Sequence, residues 1–251
     1  MTSSASPAPS RAVTFDFGQV LASLDPTYLA EKLATRDLVV DPRALHAAMP
    51  AGWEAYGLAL RTGGHGGSAW KTLIRTVVEG AGVTPSEAVL GFLFDDQRPR
   101  NLWRRPIAGM IDLAREIRRA GVPVGIVSNS EGALAALVAT LGWTSDFSII
   151  ADSGVLGLEK PQREIFDWTA ARLGVPVTGL VHVGDSWMAD VEGALGVGAE
   201  AIWFIEGPDD PVLSVALDEA RRVRIRTAHD AASARTAVIA ALGETWPAAA
   251  R

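Results

Sequence analysis

The 251-residue chain carries 48% hydrophobic and 21% charged residues, the balance of a globular protein with ample material for a core. A net charge of −6 and a pI near 5.3 argue against a nucleic-acid or anionic-membrane surface, although a few amides and one lysine could still hold a phosphate locally. The absence of cysteine excludes disulfides, thiolate metal sites and cysteine nucleophiles.

Residues 1–11, dominated by Ser, Ala and Pro, read as a disordered tail without the apolar core of a secretory signal. No run is long enough to span a membrane, and a cytoplasmic location is expected. Ala12-Val13-Thr14-Phe15 reads as a short buried strand, with Asp16 at its carboxyl end and Gly18 turning the chain directly afterwards. Open α/β sheets place their ligands at such strand ends. Between Pro26 and about Pro106 the pattern is helical, over Thr27–Ala34, Pro42–Ala48, Ser68–Glu79 and Pro85–Phe94, with no convincing strand. The glycine-rich stretch Arg61–Gly67 reads as a flexible connection, because a phosphate cradle needs a preceding strand.

From Val122 strands and helices alternate. Strands are expected at Val122–Val127, Phe147–Ile150, Leu180–Val183 and Ala201–Ile205, and helices at Glu131–Leu141, Gln162–Leu173 and Met188–Leu195. A helix from about Pro211 to Arg221, a strand near Val223–Ile225 and a helix Asp230–Leu242, capped by Asp230, complete the chain. The expected fold class is α/β: a parallel, doubly wound, Rossmann-like sheet with an inserted α-helical cap. The core is expected over 12–25 and 107–243, the cap over 26–106 and a C-terminal tail over 244–251.

Four segments lie at or just beyond strand ends: Asp16 with Gly18, Ser128-Asn129-Ser130, Lys160-Pro161, and Gly184-Asp185-Ser186 with Asp190. A parallel sheet gathers such ends on one edge, so these groups converge. A carboxylate nucleophile, a hydroxyl with backbone amides, a lysine and two further carboxylates suit phosphoryl transfer onto aspartate. Three neighbouring acids repel one another unless a cation sits among them, and Mg²⁺ prefers oxygen ligands. His182, between Val181 and Val183, reads as a core histidine, whereas His65 reads as a surface residue. Trp53, Trp70 and Trp187 suit either core or pocket wall, and Lys71 with Arg75, one helical turn apart, suits a solvated face.

In this order and context the four segments resemble the haloacid dehalogenase-like hydrolases, in the branch with a helical cap inserted after the first strand. The resemblance runs from about Val13 to Leu242. It implies Asp16 as nucleophile and Mg²⁺ ligand, Asp185 and the Gly18 carbonyl as further ligands, and Asp190 beside the metal or Lys160. It also implies that Lys160 balances the nucleophile and the phosphoryl group, while Ser128 and the Asn129 amide hold phosphate oxygens. Phosphatases of the family usually carry a second aspartate two residues after the nucleophile, whose side chain protonates the leaving oxygen. Gly18 keeps the carbonyl and removes that acid.

The expected activity is therefore Mg²⁺-dependent phosphatase-type hydrolysis of a small phosphorylated metabolite, such as a sugar phosphate, through an aspartyl-phosphate on Asp16. Alternatives are a carbon–phosphorus hydrolase using Lys71 or Lys32, a carbon–halogen hydrolase, or a non-catalytic binding protein of the same fold.

Overall fold

The computed structural model of the protein describes residues 10–63, 66–205 and 218–246. Residues 1–9 of the tail expected over 1–11, residues 247–251 of the tail expected over 244–251, His65 and most of the helix expected at 211–221 lie outside these residues, whereas Trp246 of the expected C-terminal tail is buried.

In chain order the elements are β1 (Ala12–Phe15), β2 (Ala22–Leu24), α1 (Pro26–Ala34), α2 (Pro42–Arg61), α3 (Gly66–Gly80), α4 (Glu87–Asp95), β3 (Trp103–Pro106) and α5 (Met110–Arg119). Next come β4 (Val124–Ser128), α6 (Leu134–Thr140), β5 (Ile149–Asp152), α7 (Ser153–Leu156), α8 (Arg163–Leu173) and β6 (Leu180–Gly184). The last are α9 (Glu192–Gly196), β7 (Glu200–Phe204), α10 (Glu219–Arg222), β8 (Ile225–Ala228) and α11 (Ala231–Leu242).

Two compact units result. One comprises the chain up to Ser23 and from Arg105 onward, the other Leu24–Arg104. The first unit holds a six-stranded sheet in the order β5-β4-β1-β6-β7-β8, parallel throughout. β1 is fully buried, as a central parallel strand covered on both faces requires. Its neighbours β4 and β6 lead away in opposite directions, so β1 marks the topological switch point where such sheets bind ligands. Phe166 and Ile165 of α8, with Ala194 and Leu195 of α9, pack into one apolar cluster with Val127 of β4 and Leu180 of β6.

The second unit is helical and has its own core, in which Leu29 and Leu33 of α1, Leu45 of α2, Leu73 and Val77 of α3 and Leu90 of α4 are completely buried. α2 runs on to Arg61, well beyond the expected Ala48, with Pro50 in its interior. A proline removes one helical hydrogen bond, but close packing on α3 outweighs that loss. Gly52 allows the approach: a Cβ there would lie 2.5 Å from Val77 Cγ2.

The expectation of no strand between Pro26 and about Pro106 fails at β3, which pairs with β2 in a separate two-stranded sheet. Trp-Arg-Arg-Pro lacks an apolar period, and pairing with β2 makes it a strand. The helix expected at Met188–Leu195 begins instead as a π-turn over Trp187–Val191 before α9. Asp230 does cap α11, accepting from the Ser233 N–H at 2.7 Å in a reciprocal capping box.

Gly184 ends β6 with the Asp190 side chain directly over it, and an added Cβ would lie 2.2 Å from Asp190 Cγ. Gly184→Ala is therefore expected to destabilise the protein by about 1–3 kcal/mol, read as a lowered Tm. Gly196→Ala, where an added Cβ meets nothing within 4 Å, should leave Tm unchanged or raise it.

Candidate active site

The sheet register decides which side chains meet. Phe15 pairs with Ile126 of β4 and with Val183 of β6, so the next residue, Asp16, emerges level with Val127 and Gly184. Its N–H donates to Val183 O at 2.8 Å, extending the ladder by one bond before the chain turns. Gln19, with φ of +57°, and a bridge from Gly18 to Ala22 then close the turn. Ser128 ends the neighbouring strand, 5% exposed and in register with Asp152 of β5.

One carboxylate oxygen each from Asp16, Asp185 and Asp190 fall within 4.8 Å of one another. A single ammonium answers them. Lys160 Nζ lies 2.9 Å from Asp16 Oδ1 and donates to Asp190 Oδ1 at 2.5 Å, with the Lys160 side chain 2% exposed. Burial alone would push this lysine down, but the Asp16 and Asp190 carboxylates together hold it above the ordinary lysine value.

Burial likewise pushes Asp190 up, and the Lys160 ammonium and the His182 hydrogen bond more than reverse it, leaving its carboxyl well below the usual range. Burial, and then the Asp16 and Asp190 charges, push the Asp185 carboxyl well above the usual range, and the Lys160 charge and a backbone hydrogen bond lower it too little to offset them.

Asp190 is fully engaged. Its Oδ1 faces Lys160 Nζ and His182 Nε2, and its Oδ2 accepts from the Ser186 N–H at 2.9 Å. The π-turn makes this possible, since Ser186 O accepts the N–H groups of both Asp190 and Val191.

Asn129, singled out in the sequence for its amide, also acts through its side chain, and two further positioning groups, Asp152 and Trp203, carry no distinctive sequence signal. The Asn129 side chain imitates a backbone strand, donating to Lys160 O at 2.9 Å and accepting the Lys160 N–H at 2.8 Å. Asp152, 3% exposed, accepts from Ser130 Oγ, Gly132 N, Leu134 N and Gly154 N, and so organises the loop that follows Ser128. Trp203 Nε1 donates to Asp185 O at 2.8 Å, and its ring meets Trp187 edge-on at 4.8 Å. A strand-end aspartate and a strand tryptophan are too common for the sequence to single out.

Elsewhere, Trp70 is 5% exposed within the core of the helical unit, and Trp53 is half-buried against it. Lys32, buried and ion-paired with Asp96, is pushed down to about 8 by burial and by Arg100 and Arg104. Lys71 lies over the Phe94 ring at 5.6 Å, and Arg75 pairs with Glu87 at 2.5 Å.

At the switch point of the sheet a strand-end carboxylate is thus joined to a buried lysine, with two further acids beside it. Residues 11–198 match the haloacid dehalogenase-like hydrolase family. The chain belongs to this family of hydrolases.

It is 27% identical over 199 residues to human haloacid dehalogenase-like hydrolase domain-containing protein 3, covering 73% of this chain and 76% of the relative. A phosphoserine phosphatase from Thermus thermophilus is 28% identical over 179 residues, covering 67% and 69% of the two chains. Among solved structures, the magnesium-bound putative hydrolase YfnB of Bacillus subtilis superposes with a TM-score of 0.69 at 17% identity, over 93% of this chain and 99% of that one.

The residual repulsion at Asp185 has a measurable sign. A carboxyl whose folded pKa is raised lowers stability once pH rises through that value, whereas below the unfolded value the penalty vanishes. Asp185→Asn should therefore raise the Tm of metal-free protein at pH 7, by roughly 2–4 °C per kcal/mol of relieved repulsion in a chain of this size. The gain should shrink as pH falls toward the ordinary carboxyl range, and thermal scans against pH in EDTA check this.

Proposed function

We propose that this haloacid dehalogenase-like hydrolase is a Mg²⁺-dependent phosphatase acting on a small phosphorylated metabolite through an aspartyl-phosphate on Asp16. The observation that carries the reading is the cluster of three carboxylates answered by one buried ammonium at the switch point of the sheet. The phosphatase relatives and the magnesium-bound neighbour support it.

The donor set fits a hard divalent cation. Three carboxylates against one ammonium leave two negative charges, and oxygen donors are those Mg²⁺ takes. Asp16 and Asp185 would hold the ion with the Gly18 carbonyl. Asp190, whose oxygens already accept from Lys160, His182 and Ser186, is proposed to hold Lys160 beside the ion rather than to serve as its main ligand. Bound Mg²⁺ supplies Lewis-acid neutralisation of charge on the phosphoryl group.

The chain's own residues do the rest. The Asp16 carboxylate attacks phosphorus, and the bond from phosphorus to the leaving oxygen breaks with its electron pair. Lys160 offsets the charge carried between Asp16 and the phosphoryl group. Ser128 Oγ and the Asn129 N–H bind phosphate oxygens. Water then attacks phosphorus, its proton passes to solvent, and phosphate and the Asp16 carboxylate are released.

Gly18 offers no side chain to protonate the departing oxygen, which favours substrates whose leaving group is stable as an anion, anomeric sugar phosphates among them. The helical unit is assigned as the inserted cap. Lys32 is enclosed with Asp96, so a carbon–phosphorus route through an imine there has no free amine.

The test is turnover of p-nitrophenyl phosphate and a panel of sugar and alkyl phosphates, with Mg²⁺ or with EDTA. Turnover is expected only with the metal, and Asp16→Asn should remove it by roughly 10³-fold or more. Aryl and anomeric phosphates should outpace simple alkyl phosphates strongly, since a general acid is worth about 10²–10⁴-fold. Metal-independent halide release from 2-haloacids, with no phosphatase activity, would replace this reading with dehalogenation.

A further inference from the structure

His182 is buried in the middle of β6, where a polar side chain must have partners, and both of its ring nitrogens are used. Nδ1 meets the hydroxyl of Thr14, directly across on β1, at 2.9 Å. Nε2 meets Asp190 Oδ1 at 2.8 Å, and Asp190 as a carboxylate can only accept, so Nε2 carries the proton. The Phe166 ring stands edge-on to the imidazole at 5.5 Å. Asp190 Oδ1 is also the oxygen to which Lys160 Nζ donates. The result is an unbroken series from Thr14 through His182, Asp190 and Lys160 to Asp16, in which every member before Asp16 is less than 5% exposed.

We infer that His182 is a positioning residue for Lys160. It acts through Asp190, whose Oδ1 it pins at the point that sets the ammonium against Asp16. Satisfying a core histidine would not demand this arrangement, because any buried carbonyl could accept from Nε2. The bond goes instead to the one carboxylate that orients the lysine. Ser186 holds the other Asp190 oxygen, so without His182 the Oδ1 that receives the ammonium is held by Lys160 alone, and the pair can shift together away from Asp16. Thr14 sets the ring from the other side. The kinetic consequence rests on the phosphatase reading; the geometric one does not.

The test compares wild type with His182→Leu, His182→Gln and Thr14→Val. Readouts are crystal structures, Tm, and kcat and KM for p-nitrophenyl phosphate with Mg²⁺. A glutamine can present its Nε2 near the position of the imidazole Nε2. In folded His182→Leu the Lys160–Asp16 contact should lengthen beyond hydrogen-bond distance, and kcat should fall by roughly 10–100-fold, the usual effect of losing an outer partner of a site, with little change in KM. His182→Gln should restore both the contact and most of kcat, and Thr14→Val should lie between.

If His182→Leu keeps the contact and the wild-type kcat, or if His182→Gln folds equally well but fails as badly, the inference is overturned. If His182→Leu does not fold, the contact and kcat in His182→Gln and Thr14→Val decide by the same criteria. Absence of turnover in wild type would count against the phosphatase reading alone, and the crystallographic Lys160–Asp16 distances would still decide the role of His182.

Discussion

One buried ammonium holds the functional edge of this protein together. Lys160 lies between Asp16 and Asp190, and through them joins the end of β1 to the loop after β6. A charge so enclosed is tolerated only when fully paired, and removing one partner of a buried pair typically costs about 3–5 kcal/mol. The surroundings are built to keep it paired. The Asn129 side chain clamps the Lys160 backbone, Ser186 and His182 fix Asp190, and Gly184 leaves room for the Asp190 carboxylate.

The balance is deliberately incomplete. Among the described residues Lys160 is ion-paired with Asp16 and Asp190, and its charge offsets only part of what raises the Asp185 carboxyl. That residual repulsion is the physical link between stability and function. A site that is electrostatically strained by itself gains most from a divalent cation, as functional sites often trade stability for reactivity. Under the proposed phosphatase reading, Gly18 would shape the other half of the chemistry, offering no side chain to protonate the departing oxygen.

Much of the sheet was legible because central parallel strands are continuous apolar runs. Ala12–Phe15 and Leu180–Val183 announce themselves, and the residues that follow them inherit the switch point from topology alone. The helical unit was legible as helices but not in their extent, because packing on α3 carries α2 through Pro50. β3 and the π-turn were hidden because each is set by a partner: β2 for the one, the Ser186–Asp190 contacts for the other. Within the site, charged residues at strand ends stood out, whereas Asp152, Trp203 and the side-chain role of Asn129 depend on hydrogen bonds between segments far apart in sequence. His182 reads as a core residue in the sequence and is one, yet its partner is the carboxylate beside Lys160.

The central claim is that Asp16 takes the phosphoryl group onto its own carboxylate. Excess enzyme mixed with p-nitrophenyl phosphate and Mg²⁺, quenched in acid within a single turnover and mapped by peptide mass spectrometry, tests this most directly. The account predicts a transient phosphoryl group on the peptide at Asp16 that disappears as phosphate is released. Phosphate release with no phosphoryl group on Asp16 at any time, or with one on another residue, would contradict it.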